Sequence, residues 1–146
     1  MKVINCSIKD IPELALMNQM LIEDEKAETS LDLTDLQKRM TDFITSDYKA
    51  FLFSIENKTI GYALCNFMKT PIYLRQFFIC RSERRKGYGK KAFQALLDYI
   101  NIDKIDIDVY VWNESGVAFW ESLGFEKRCY NMRLQQHISK QLLHNG

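Results

Sequence analysis

The segment Phe77-Phe78-Ile79-Cys80-Arg81-Ser82-Glu83-Arg84-Arg85-Lys86-Gly87-Tyr88-Gly89 joins a predicted strand to a predicted helix. Strand-forming residues run from Ile72 to Cys80, and Lys86 to Ile100 has apolar residues at helical spacing. The glycines of the turn permit tight backbone conformations and let a ligand approach the main chain. Because the first N–H groups of a helix are unpaired and partly positive, the turn is predicted to bind phosphate.

Basic residues crowd this turn and would favour an anion such as a pyrophosphate. They are Arg81, Arg84, Arg85, Lys86, Lys90 and Lys91. The pattern alone is weak, because a basic turn that opens a helix is more often simply solvated. It also lacks the Gly-Lys-Ser/Thr ending of a P-loop and the third glycine of a dinucleotide-binding fingerprint.

The elements on either side predict the α/β class. Predicted strands lie at 3–7, 50–55, 60–67, 72–80, 104–112, 125–129 and 132–134, and predicted helices begin near Asp10, Thr34, Lys86 and Ser115. Thr34 and Gln37 are interpreted as a capping box. The order β-α-α-β-β-β-α-β-α-β-β, in one domain spanning residues 1–146, combines a hairpin with a right-handed strand-helix-strand crossover. The sheet is therefore predicted to be mixed.

The basic glycine turn becomes specific evidence for a ligand only together with a second group of residues further along the chain. Asn113 follows an alternating strand, and Phe119-Trp120 and Gly124-Phe125 follow it at fixed offsets. Together with Arg84 to Gly89 before it, this pattern resembles the GNAT superfamily of N-acetyltransferases over residues 50–125. The resemblance implies a GNAT-like mixed sheet whose two parallel strands splay apart to hold acetyl-CoA.

The resemblance also implies which residues contact acetyl-CoA, the expected co-substrate. The pantetheine would pair with the backbone of the first parallel strand, and the pyrophosphate would lie on N–H groups from Arg85 to Lys90. Asn113 would hold the cofactor from the other side, although the same side chain could cap the next helix. The expected cofactor-binding set is Phe77, Phe78, Ile79, Arg84, Arg85, Lys86, Gly87, Tyr88, Gly89, Lys90, Asn113, Phe119 and Trp120.

Transfer to an amine requires a proton acceptor, because an alkylamine of pKa about 10.4 is mostly protonated at neutral pH. Asp108 is the candidate, since it matches a position where some family members carry a glutamate base. The alternative is that Asp108 anchors a loop or pairs with a basic residue. Gln76 stands where relatives often have glutamate, and it can orient a water but cannot accept a proton.

The departing thiolate raises a second question. Many relatives have a tyrosine that protonates it, at the position where this chain has Trp120, and an indole cannot supply a proton. Tyr110 or Tyr130 could take this role, and a thiol of pKa about 8.5 leaves reasonably well as thiolate. These departures keep a second hypothesis open, namely a catalytically weak acyl-CoA-binding or sensing module.

Charge and composition restrict the partners. The net charge of +1, and a basic run without interleaved aromatic residues, argue against nucleic acid. No apolar run approaches membrane-spanning length, and the four cysteines lack zinc-site spacing. We therefore expect a cytoplasmic protein with reduced, mostly buried thiols, no metal and no membrane. The acceptor is expected to be a primary amine of a small molecule or protein, and a homodimer stays open.

Four acidic residues are predicted to form an exposed loop between the first two helices. They are Glu23, Asp24, Glu25 and Glu28. In GNAT-like folds this connection lies beside the acceptor end of the cofactor tunnel, so the cluster could attract a cationic acceptor. The alternative is an acidic face that is only solvated.

Acetyl-CoA should stabilise the folded chain if these motifs bind it. A ligand at 100 times its Kd adds about 2.7 kcal/mol to the free energy of unfolding, so saturating acetyl-CoA should raise Tm. Gly87→Glu should abolish this rise, because it places bulk and negative charge where the pyrophosphate is expected. An unchanged Tm of the natural chain would contradict the assignment of acetyl-CoA.

Overall fold

The computed structural model of the chain describes residues 1–136. Its strands are β1 (Lys2–Asn5), β2 (Tyr48–Ile55), β3 (Lys58–Asn66), β4 (Ile72–Ile79) and β5 (Ile105–Ile107). Its α-helices are α1 (Ile11–Glu25), α2 (Leu33–Ile44), α3 (Tyr88–Ile100) and α4 (Glu114–Ser122). Short 3-10 helices precede α1 at Ile8–Asp10 and α3 at Arg81–Glu83.

The strands form one sheet in the order β1-β2-β3-β4-β5. The first four are antiparallel to their neighbours, and β4 pairs with β5 in parallel. A parallel pair needs a crossover connection, and the segment containing α3 supplies it. The predicted mixed α/β sheet is therefore confirmed.

Two apolar clusters lie on opposite faces of the sheet. Leu14 of α1 and Met40 of α2 pack with Tyr62 and Phe78 on one face. On the other face Leu96 of α3 belongs to the second cluster, which includes Phe51, Phe53, Ile60 and Ile79. Successive side chains of a strand point to opposite faces, which is why neighbouring residues of β4 enter different clusters.

The ends of the first two helices differ from prediction. The capping box of α2 is made by Asp32 and Asp35, with Asp32 Oδ1 accepting from the Asp35 N–H at 2.8 Å. Thr34, predicted as the cap, lies inside the helix. The prediction of a loop at residues 23–28 was also wrong in part, because α1 continues through Glu25. The helix ends where Lys26 adopts a left-handed conformation (φ 50°). Acidic residues fit a helix interior well enough that their charge does not end it.

The strands predicted towards the C-terminus are shorter or absent. The strand predicted at 104–112 is formed only at Ile105–Ile107, because its neighbour β4 pairs with it no further than Leu74. Within the part of the chain that the structure describes, the strands predicted at 125–129 and 132–134 are not formed, because no other strand lies against them. The predicted single domain also includes residues 137–146, which lie outside the described residues.

Gly61 of β3 offers a test of the register between β3 and β4. A Cβ atom at this position would lie 2.0 Å from the backbone oxygen of Phe78, which cannot move without disturbing the strand. Gly61→Ala should therefore lower the free energy of unfolding by about 1–3 kcal/mol in urea denaturation. Lys2→Ala, at an exposed position of β1, should stay within about 0.5 kcal/mol of the natural chain. Equal stability of both variants would contradict the register.

Candidate active site

The site lies where β4 and β5 separate. Their ladder runs from Ile72 opposite Ile105 to Leu74 opposite Ile107, and β4 then continues to Ile79. Within residues 1–136 no strand pairs with this part of β4 on the β5 side. The backbone N–H and C=O groups along an unpaired edge can bind an extended ligand that carries amides.

A small pocket marks the point of separation. Its volume is about 30 Å³, which is enough to hold a water molecule. The lining residues are Glu25, Leu74, Arg75, Phe77, Ile107, Asp108 and Trp120. Two carboxylates from different elements therefore meet at one end of the open strand edge.

A β-bulge shapes the strand at this pocket. Leu64 pairs with Gln76 and Cys65 pairs with Leu74, so Arg75 is the extra residue of β4. Gln76 is buried, and its Oε1 accepts a hydrogen bond of 2.7 Å from the Tyr62 hydroxyl. The carbonyl of Gln76 is thus engaged inside the protein, and its predicted role of orienting a water stays a prediction.

The other end of the open edge leads to the first turn of α3. Arg85 and Gly87 have left-handed backbones, with φ values of 64° and 74°. Gly87 is the N-cap residue, and no side chain accepts from the N–H groups of the first turn there. A Cβ atom on Gly87 would meet nothing within 4 Å, so space in front of the helix is open. This is the geometry that an anion requires at a helix N-terminus.

Ion pairs hold the loop before α3 on one side. Arg81 Nε donates to Asp24 Oδ1 at 2.9 Å, and Arg81 Nη2 donates to Glu23 Oε2 at 3.2 Å. Arg84 donates to the other carboxylate oxygen of Asp24 and, over 2.9 Å, to the backbone oxygen of Ile79. The loop is therefore fastened both to α1 and to the end of β4.

A second ionic cluster fastens the other side of the loop. Glu83 lies between Lys58 Nζ at 2.5 Å and Lys86 Nζ at 3.1 Å. Of the basic residues predicted to surround a phosphate, those that make no ion pair within residues 1–136 are Arg85, Lys90 and Lys91. The predicted phosphate ligands Arg84 and Lys86 are thus engaged with carboxylates.

The acidic cluster predicted to attract the acceptor is largely neutralised. Glu23 and Asp24 pair with arginines of the loop, and Glu28 Oε2 lies 3.0 Å from Arg133 Nη1. Burial would raise the pKa of Asp24, but hydrogen bonds from Arg84 and Arg81 outweigh it and lower the pKa. Three of the four acidic residues therefore form ion pairs that hold the structure together, and Glu25 is the exception.

Glu25 ends α1 and lines the pocket. Its side chain is half-buried, and this burial, followed by the charge of Asp24, raises its pKa. Its backbone oxygen accepts a 3.0 Å hydrogen bond from Trp112 Nε1, which attaches the segment after β5 to the end of α1. Sequence reasoning missed Glu25 as a pocket carboxylate because it placed residues 23–28 in an exposed loop; the helical spacing of α1 would have extended to it.

Asp108 lines the same pocket from the segment after β5. Its Oδ2 accepts a 2.8 Å hydrogen bond from the Tyr73 hydroxyl, so the side chain is anchored to β4. Tyr110 stacks on Trp112 with ring centroids 4.4 Å apart, and it is not among the residues that line the pocket. The structure brings Asp108 to the site and leaves Tyr110 beside it.

Aromatic rings close the pocket on the side of α3 and α4. Trp120 contacts Phe77, Phe93 and Phe119 at centroid distances of 5.2, 5.4 and 4.9 Å. A Cβ atom on Gly89 would lie 3.1 Å from the ring of Phe119, so a side chain here would crowd that ring where α3 approaches α4. The predicted residues Phe77, Phe119 and Trp120 are thus gathered in one cluster.

Other predicted cofactor residues have structural contacts. Asn113 Oδ1 accepts from the Gly116 N–H at 3.1 Å, and this hydrogen bond caps α4. The side chains of Phe78 and Ile79 are buried in the two cores, so only their backbone atoms face the open edge. Tyr88 lies beneath Lys86 and Lys91, whose Nζ atoms are 6.0 and 5.8 Å from its ring centroid.

The cysteines take no part in this site. Burial raises the pKa of the Cys6 and Cys65 thiols to about 12, so neither is a thiolate at neutral pH. Cys129 is exposed, in contrast to the mostly buried thiols that the sequence predicted. Among residues 1–136 no group of three metal-binding side chains comes together, and no helix is long and apolar enough to cross a membrane.

Comparison with known proteins identifies the family. Residues 15–125 match the acetyltransferase (GNAT) family, and the chain belongs to it. No curated protein sequence matches the chain closely enough to count as a relative. The fold and the family together define the protein as a GNAT-type acetyltransferase.

Solved structures share the fold at low identity. A possible acetyltransferase from Clostridium difficile 630 has a TM-score of 0.74 and 18% identity, over 94% of this chain and 97% of that one. A predicted acetyltransferase with acetyl-CoA from Clostridium acetobutylicum has a TM-score of 0.67 and 16% identity, over 92% and 95%. The aminoglycoside N-acetyltransferase AAC(6')-Iy, in complex with CoA, has a TM-score of 0.71 and 13% identity, over 93% and 94%.

The ion pairs of Asp24 make stability depend on pH. Because the folded-state pKa is lowered, their contribution is present above the ordinary value of 3.8 and is lost as pH falls through the lowered value. Asp24→Asn should therefore lower Tm by a few degrees at pH 7, and the difference should narrow below pH 3.8. Asp103→Asn, at an exposed position without an ion pair in the described residues, is the matched control. A difference that stays constant with pH would contradict the role of the charge.

Proposed function

We propose that the chain transfers an acetyl group from acetyl-CoA to a primary amine of a small molecule or protein. One observation carries the proposal: the unpaired edge of β4 leads from the open first turn of α3 to a pocket with two carboxylates. The family match gives the reaction class, and the structural neighbours that contain acetyl-CoA or CoA support the cofactor.

The cofactor would be bound mainly by the backbone. Its pyrophosphate lies at the first turn of α3, where Arg85 and Lys90 are free of carboxylate partners within residues 1–136. Its pantetheine amides pair with the edge of β4 from Arg75 to Ile79, as an added strand would. The thioester then reaches the pocket between Phe77 and Trp120.

The chemistry requires a neutral amine beside the thioester. The amine nitrogen attacks the carbonyl carbon, the C–S bond breaks, and the sulfur leaves as thiolate. The proton lost by the nitrogen passes to a carboxylate of the pocket. Glu25 is the better suited of the two carboxylates, since its raised pKa makes it the stronger base, while Asp108 has one oxygen occupied by Tyr73.

Asp108 then acts beside Glu25 by attracting and orienting the cationic acceptor. Asp108 thus stays at the reacting centre, as the sequence indicated, but the proton passes to Glu25. Trp120 packs against Phe77 and contributes shape, and the thiolate of pKa about 8.5 needs no obligatory acid to leave. If an acid takes part, Tyr110 and Tyr130 stay the candidates that the sequence indicated.

Substitution of each carboxylate separates the two roles. Glu25→Gln should lower kcat by about 10²–10⁴, the range for general acid–base catalysis, and the deficit should shrink as pH rises and more amine arrives neutral. Asp108→Asn should mainly raise the KM for the amine. The assay follows release of free thiol from acetyl-CoA over a panel of aminoglycosides, polyamines, amino acids and peptides.

Glu23→Gln is the matched control, because Glu23 lies on the same turn of α1 and pairs with Arg81 outside the pocket. It should leave kcat within about twofold, as expected for a surface substitution. A kcat deficit in Asp108→Asn with normal kcat in Glu25→Gln would return the base role to Asp108. Binding of acetyl-CoA without thiol release, over the whole panel, would favour the sensing module.

A further inference from the structure

Two arginines, Arg39 of α2 and Arg75 of β4, bring positive charge to the same aromatic ring. The guanidinium carbons of this arginine pair lie 5.6 and 4.9 Å from the centroid of the Phe43 ring. Neither arginine forms an ion pair within residues 1–136, and residues 137–146 contain no aspartate or glutamate. Like charges that lie close together without an anion repel each other. An anion supplied by a ligand would remove this repulsion.

The protein satisfies the hydrogen-bond donors of Arg39 only in part. Its Nη2 donates a 3.0 Å hydrogen bond to Oδ1 of the buried Asn18, whereas its Nε is buried and has no hydrogen-bond partner in the described residues. Burial, followed by the charge of Arg75, lowers the pKa of Arg39. The fold thus holds a guanidinium where its charge is costly, and a negative charge beside it would offset that cost.

Arg75 connects the arginine pair to the pocket. It is the extra residue of the β4 bulge, and a bulge redirects the side chain that it carries. Arg75 lines the pocket beside Glu25 and Asp108, and its Nη1 donates to the Tyr48 hydroxyl over 3.4 Å. Neither of these two carboxylates forms an ion pair with Arg75. Because Arg75 is exposed, a ligand that enters the pocket can reach its guanidinium group.

The site therefore has an acidic end and a basic end. Glu25 and Asp108 form the acidic end, and the arginine pair forms the basic end. The buried Tyr62 lies within electrostatic reach of both: burial, followed by the charge of Glu25, raises its pKa, and the charge of Arg39 acts in the opposite direction. The two ends are thus near enough to bind one small molecule, and they do not neutralise each other by ion pairs.

We propose that the acceptor amine also carries a carboxylate, as an amino acid does, and that Arg39 and Arg75 bind it; this acceptor class rests on the acetyl transfer proposed above. The planar N–H groups of a guanidinium match the two oxygens of a carboxylate. The amine of the same molecule then lies at Glu25 and Asp108. A wholly cationic acceptor, such as a polyamine or an aminoglycoside, would instead bring like charges together at the arginine pair.

The carboxylate keeps its charge throughout the reaction. The amine nitrogen gains the acetyl group and loses its proton to Glu25, while the thioester C–S bond breaks and the sulfur leaves as thiolate. The products are an N-acetyl amino acid and CoA. Arg39 and Arg75 therefore determine the position and the choice of the acceptor, and neither takes part in proton transfer.

Matched acceptors that differ in this one charge test the carboxylate. A series of α- and ω-amino acids of increasing length is compared with the corresponding amides, which keep the amine and the shape of the molecule. The kcat/KM of the best amino acid should exceed that of its amide by about 10- to 100-fold, as expected for hydrogen bonds between charged groups. Amides that are acetylated as well as their amino acids, over the whole series, would overturn the proposal.

Variants of the two arginines test where the carboxylate binds. Arg39→Gln and Arg75→Gln should each lower the preference for the amino acid over its amide by about tenfold, through a higher KM for the amino acid. An unchanged KM for acetyl-CoA shows that each variant is folded, and Arg75→Lys should keep part of the preference. Lys38→Gln, at an exposed position of α2 beside Arg39, is the matched control and should keep all of it. A full preference in either glutamine variant of the arginine pair would overturn the proposal.

Calorimetric binding separates a failure of this site from a failure of the proposed transfer. The amino acid and its amide are titrated into the natural chain saturated with CoA, where no transfer takes place. Binding of the amino acid that is lost in Arg75→Gln, without thiol release from acetyl-CoA, would contradict transfer and support the carboxylate site. Thiol release with simple amines, but without a preference for amino acids, would support transfer and overturn the carboxylate site. Neither binding nor thiol release with any of these molecules would overturn both.

Discussion

The site depends on one constraint of sheet geometry, which is that β4 has a full partner on one edge and a short one on the other. β3 pairs along nearly all of β4, whereas β5 pairs only from Ile72 to Leu74. The β3 ladder and the two cores fix the position of β4, so the unpaired edge can stay rigid without a neighbour. An edge held in this way presents its amides in a fixed geometry, and a ligand that pairs with it loses little free energy to ordering the protein.

The end of α1 connects the two ends of this edge. Asp24 binds Arg81 and Arg84 beside the first turn of α3, and the next residue, Glu25, faces the pocket. Their environments separate their acidities: arginines lower the pKa of Asp24, whereas burial and then the charge of Asp24 raise the pKa of Glu25. Two adjacent carboxylates thus have different roles, because Asp24 forms ion pairs with arginines and Glu25 forms no ion pair within residues 1–136.

Local sequence patterns predicted the elements, but not the contacts between distant ones. Periodicity located the helices and the hairpin, and the glycine turn before α3 is a local feature that needs no tertiary information. The pairing of Asp24 with Arg84, sixty residues away, leaves no trace in the local pattern, so Arg84 was assigned to phosphate. The alternation at 104–112 predicted a strand over that whole range, but strand formation also requires a neighbour, which is present only for Ile105–Ile107.

The residues of the family motifs mainly fix the backbone around the open edge of β4 and the first turn of α3. Arg84 binds the carbonyl of Ile79, Asn113 caps α4, and Gly89 admits the ring of Phe119. These contacts are made within the chain, and they leave the main-chain N–H groups of the turn and the edge of β4 for a ligand. Ligand binding by main-chain groups constrains the side chains only indirectly, because many different side chains can support the same backbone conformation. This is a physical reason why structures at 13–18% identity share the fold.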